Sequence, residues 1–111
     1  MPPGQEGRAD QFYCGVLGLE TLPKPEPLAS RGGRWYRSGD VQVHLGVEAE
    51  FRPARKAHPA LCVSDFEDLE RRLDEAGAAW QWNDELPGVR RIYVDDPFGN
   101  RIELIEDCGG G

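Results

Sequence analysis

The chain has 111 residues, enough for one modest core, and its 39% hydrophobic and 30% charged content is that of a globular domain. A net charge of −7 and a pI near 4.8 argue against a nucleic-acid or anionic-membrane surface and mildly favour neutral or cationic ligands. No apolar run approaches the ~20 residues that span a bilayer, and the polar start Met1-Pro2-Pro3-Gly4 carries no signal-peptide pattern.

Gln5 to Val16 is predicted helical, with Ala9, Phe12, Tyr13 and Val16 at helical spacing and Gly15 and Gly18 at its end. Leu19 to Leu22 is a short strand. Pro23, Pro25 and Pro27 force an irregular segment. Arg34 to Arg37 and Val41 to Gly46 form a hairpin around Ser38-Gly39-Asp40. A charged linker, Glu48 to Lys56, contains Pro53. His58 to Val63 is then a strand. Asp65 caps a helix whose apolar stripe is Phe66, Leu69, Leu73 and Ala76, closed by Gly77. Ala78 to Trp82 is a strand. Trp35, Tyr36, Trp80 and Trp82 are expected mostly in the core, with one or two walling a pocket.

The last hairpin, Ile92 to Glu106, turns at Asp96-Pro97-Phe98-Gly99-Asn100, where Pro97 presets φ and Gly99 tolerates positive φ. Beyond the turn Ile102 and Leu104 take one face of the strand, so Glu103 points to the other. That carboxylate on a rigid strand suits a metal ligand, a general base or a plain polar surface position. On the neighbouring strand Arg91, Tyr93 and Asp95 alternate with Ile92 and Val94; Tyr93 is a candidate substrate hydrogen-bonder and Arg91 a candidate anion holder.

The element order repeats. Helix-strand-strand-strand, over about residues 1–47, is followed by strand-helix-strand-strand-strand, over about 57–107, within one domain of 1–111. Val41-Gln42-Val43-His44 is the pseudo-repeat of Ile102-Glu103-Leu104-Ile105. The fold class is therefore α+β, two βαβββ units of which the first lacks its opening strand. Its absence leaves an unpaired edge along Val41 to Gly46. Partial cover by Met1-Pro2-Pro3, a strand from another chain, or a true start further upstream would each account for it; an upstream start is the expectation. Cys14, Cys62 and Cys108 are odd in number with no CxxC spacing, which predicts free thiols in a reduced, cytoplasmic compartment, Cys62 as a small core residue, and a flexible tail at Cys108-Gly109-Gly110-Gly111.

Phe12-Tyr13 with Leu17-Gly18-Leu19-Glu20, Val43-His44-Leu45-Gly46, His58-Pro59-Ala60-Leu61 and Asp96-Pro97-Phe98-Gly99-Asn100-Arg101-Ile102-Glu103-Leu104 together resemble the vicinal oxygen chelate superfamily of glyoxalases, bleomycin-resistance proteins, fosfomycin-resistance enzymes and extradiol dioxygenases. The resemblance runs from about Pro2 to Glu106. It implies that paired units form a cup-shaped sheet holding ligand or metal, with His58 and Glu103 as metal ligands and Gln42 where the first unit's closing-strand glutamate would lie. It implies a divalent metal (Zn, Ni, Mn or Fe) that polarises vicinal substrate oxygens, with Glu103 or His44 moving protons and His44, Tyr93 and Arg91 touching substrate. The expected activity is a metal-dependent isomerase, lyase or dioxygenase. The alternative is a metal-free ligand- or antibiotic-binding protein of the bleomycin-resistance type, favoured by Gln42 in place of a carboxylate. A small-molecule ligand and a homodimer complete the expectation.

Overall fold

The computed structural model describes residues 1–106 and divides into two compact units, Met1–Arg52 and Pro53 onward. The predicted C-terminal tail lies outside the described residues. No helix among them is long and apolar enough to cross a membrane.

In the first unit, helix α1 (Glu6–Tyr13) precedes strands β1 (Glu20–Leu22), β2 (Arg34–Ser38) and β3 (Val41–Leu45). The strands form an antiparallel meander in the order β1-β2-β3. The helix stops three residues before the predicted end. Gly15 N–H bonds the Asp10 carbonyl, five residues back, and a Cβ on Gly15 would lie 2.4 Å from the Gln11 carbonyl oxygen. The regular ladder breaks there, and Gly18 turns the chain at φ +78°. The proline segment leads into a short 3₁₀ helix, Leu28–Arg31, that proline spacing alone does not announce. Tyr36, fully buried, stacks on Tyr13 of α1 at 5.1 Å, so its face of the sheet is the one the helix covers. Alternation sends Trp35, Arg37, Gln42 and His44 to the other face.

No strand precedes α1 among the described residues. Met1 instead donates its ammonium to Gly46 O at 2.7 Å and accepts from Glu48 N at 3.0 Å. Met1 therefore covers the far end of β3, as the sequence allows, while Val41–Leu45 has β2 as its strand partner.

The second unit is a complete βαβββ arrangement: β4 (Ala60–Val63), α2 (Phe66–Glu75), β5 (Trp80–Asn83), β6 (Arg91–Asp95) and β7 (Arg101–Glu106). Its sheet runs β4-β7-β6-β5, with β4 and β7 parallel and the other pairs antiparallel. Asp65 caps α2 by accepting from Asp68 N at 3.1 Å. Phe66, Leu69 and Leu73 are buried on its inner stripe. Trp82 pairs with Ile92 and Ile92 with Leu104, and the Trp82 ring lies 5.9 Å from Phe66. That face, with Val94 and Ile102, is consequently the helix-covered core.

Three expectations are corrected. Of Trp35, Tyr36, Trp80 and Trp82 only Tyr36 is core; Trp82 is 46% exposed, and Trp35 and Trp80 are half-buried. Ala76 is exposed, because it caps α2 rather than continuing its stripe. Cys62 is exposed and disulfide-bonded, so it is neither a core residue nor a free thiol; Cys14 is free.

Asp96, 5% exposed, builds the turn into β7. Its carboxylate accepts from Phe98 N, Asn100 N and Asn100 Nδ2 at 2.8–2.9 Å, and its N–H donates to Asn100 O. Asp96→Ala strands those donors and should cost about 1–3 kcal/mol in urea unfolding. Leu73→Ala should cost about 2–5 kcal/mol by opening the core under α2.

Candidate functional site

The face of the second sheet opposite α2 is fixed by register. Ala60, Glu103, Tyr93 and Gln81 lie side by side across it, and Cys62, Ile105, Arg91 and Asn83 form the next row. His58 falls two residues before β4, outside the strand predicted to contain it, because regular pairing begins at Ala60. The Pro59 carbonyl still accepts from Glu103 N at 2.9 Å, which ties His58 to the middle of β7.

Glu103 is 8% exposed, and both its oxygens are engaged. His58 Nε2 lies 3.0 Å from Oε1, and Arg91 Nη1 donates to Oε2 at 3.0 Å. His58 Nδ1 is 2.7 Å from the Lys56 carbonyl. The Lys56 carbonyl and the Glu103 carboxylate are both acceptors, so protonation of the ring gives each nitrogen a proton to donate. In keeping with this, the bond to Glu103, then the bond to Lys56, raises the His58 pKa above its ordinary 6.5. The Glu103 pKa is lowered, chiefly by His58 and then Arg91, against the opposing pull of burial.

Arg91 is committed as well. Its Nε and Nη2 donate to Asn83 Oδ1 at 3.1 and 2.8 Å. All three guanidinium nitrogens thus hold protein groups, with Glu103 as the carboxylate beside them. Tyr93 completes the group: the His58 ring meets it edge-on at 5.4 Å, and Arg91 and Arg101 lie 5.6 and 5.3 Å from its centroid. Asn83 was not foreseen. Only the β5–β6 register, Asn83 opposite Arg91, could have signalled it.

The remaining candidates belong to the first unit. His44 Nε2 is 2.9 Å from Gln42 Oε1, and its ring stacks on Trp35 at 4.0 Å and 7°. The structure thus brings His58, Glu103, Arg91 and Tyr93 together in one unit, and His44 with Gln42 in the other.

A divalent metal can be tested on these donors. Two cis ligands about 2.1 Å from a metal are about 3.0 Å apart, which matches His58 Nε2 to Glu103 Oε1. Glu103's second oxygen is held by a guanidinium, and among the described residues no three His, Cys, Asp or Glu side chains converge.

The His58–Glu103 pair predicts a pH window. The imidazolium contribution is complete below pH 6.5 and is lost as pH rises through the raised folded-state pKa. The carboxylate contribution is present above 4.5 and is lost as pH falls through the lowered pKa. The pair therefore contributes most between those values. In proton NMR the His58 ring should titrate above 6.5, and Glu103→Gln should bring it back down; an unchanged titration would show that the pair is not formed.

A glyoxalase-like domain family model matches residues 5–105. A glyoxalase family protein from Bacillus anthracis is 43% identical, with TM-score 0.90, covering 96% of this chain and 88% of that one. An antibiotic-binding protein from Streptomyces sp. CB03234 is 25% identical, with TM-score 0.70 and coverage of 96% and 89%. Lactoylglutathione lyase from Agrobacterium tumefaciens, 19% identical with TM-score 0.70 and coverage of 100% and 92%, shares the fold. No curated protein matches the chain.

Proposed function

The chain belongs to the glyoxalase-like domain family, and from that premise we propose that it is a metal-free binding protein for a small organic ligand. The observation that carries this is the state of Glu103. Its two oxygens are taken by the His58 ring and the Arg91 guanidinium, and no three His, Cys, Asp or Glu side chains converge among the described residues. A carboxylate whose pKa is lowered by the His58 bond and by Arg91 has little basicity left for proton abstraction.

In this role Glu103 is an anchor rather than a catalyst. It fixes the His58 ring and, with Asn83, the Arg91 guanidinium, so the polar wall beside Tyr93 is ordered before any ligand arrives. Tyr93 and the His58 ring edge supply the ligand contacts. The −7 charge favours neutral or cationic ligands. The antibiotic-binding relative supports a ligand of drug-like size. A homodimer belongs to the proposal, since β3 offers an outer backbone edge along Val41–Leu45. Light scattering on a size-exclusion column should give twice the chain mass.

The competing metalloenzyme draws support from the 3.0 Å His58–Glu103 spacing. Plasma mass spectrometry on untagged protein purified without chelator decides between them. The expected result is no stoichiometric Zn, Ni, Mn or Fe, even after reconstitution, together with members of a drug-like library that raise the Tm of the parent protein and raise that of Tyr93→Ala less. Near-stoichiometric metal that disappears in His58→Ala/Glu103→Ala would overturn the proposal and call for glyoxalase, epoxide and catechol substrates.

A further inference from the structure

The first unit holds a pocket of about 580 Å³, in the range of small-molecule sites, lined by residues of that unit. Its charged lining is Glu6 and Asp10 from α1, Lys24 from the proline segment and Arg34 from β2. Leu22, Pro23 and Ala29 form its apolar wall.

These groups are ordered in advance. Asp10 accepts from Arg34 Nε at 3.2 and 3.4 Å and from the Tyr36 hydroxyl at 2.8 Å. Tyr36 is fully buried, so Asp10 is anchored from beneath. The bonds of Arg34 to described residues leave from Nε, so its terminal nitrogens stay available for a planar anion. Lys24 Nζ bonds the Gly32 carbonyl, leaving further donors on its ammonium. Glu6 Oε2 accepts from Gly33 N at 3.0 Å, a bond that, with α1's backbone, keeps the carboxylate ionised. Gly33 cannot be replaced here: at φ +87° its Cβ would lie 2.2 Å from the Leu45 carbonyl oxygen.

Two acids and two bases cancel, so a simple anion or cation gains little net attraction. A ligand bearing both charges gains from each side. We propose that this pocket binds a zwitterionic α-amino acid with an apolar side chain, its carboxylate on Arg34 and Lys24, its ammonium on Glu6, and its side chain against Leu22, Pro23 and Ala29.

The test follows backbone amide and arginine side-chain resonances during titration of the full chain with L-leucine. The expected result is a saturable shift at Gly33 N–H and Arg34 Nε–H. L-Leucinamide, without a carboxylate, and N-acetyl-L-leucine, without an ammonium, should each bind at least about tenfold more weakly. Lys24→Gln and Glu6→Gln should each weaken leucine binding about tenfold, while Lys24→Arg retains it. No shift with leucine, equal binding of either derivative, or unaltered binding in both variants would overturn the proposal.

Discussion

The parallel pairing of β4 with β7 is the constraint on which the second unit depends. A parallel pair cannot be closed by a tight turn, so α2, β5 and β6 must lie between its strands in sequence. The pairing sets Ala60 against Glu103 and lets Pro59 accept from Glu103 N–H. His58 and Glu103, 45 residues apart in the chain, are thereby held at hydrogen-bond distance. Without that register neither residue would have a defined partner.

The same register explains why a buried carboxylate persists on the sheet face that no helix of its unit covers. An ionised glutamate 8% exposed is costly unless it is paired. β6 brings Arg91 to one oxygen, the segment before β4 brings His58 to the other, and Asn83 on β5 steadies Arg91. Three segments converge on one acid, whose loss would leave the Arg91 guanidinium without its carboxylate and His58 without the bond that raises its pKa. The first unit solves a similar problem with Asp10, which holds Arg34 and the buried Tyr36 hydroxyl together. Burial, then the bond to Asp10, raises the Tyr36 pKa, so that hydroxyl remains a donor.

Much of this was legible in the chain itself. The alternation of Ile102, Glu103 and Leu104 assigns Glu103 to the face away from the core. Asp65 and the Phe66–Leu69–Leu73 stripe define α2, and Asp96-Pro97-Phe98-Gly99-Asn100 defines the turn into β7. Each is a local pattern of period, cap or turn residue, which neighbouring residues alone determine. The repeated element order and the family resemblance follow from the same patterns.

What the tertiary structure alone decided is which groups meet. The resemblance implied His58, Glu103 and Gln42 as metal ligands; within the second unit folding sets Glu103 between His58 and Arg91, and within the first it sets His44 beside Gln42 and Trp35. It added Asn83, placed Cys62 in a disulfide rather than a free thiol, and opened the pocket between α1, β2 and the proline segment. The reason is physical. Periodicity fixes the face a side chain takes within its own strand, whereas its partner across the sheet depends on strand order and register, and those are set by the packing of residues far apart in the chain.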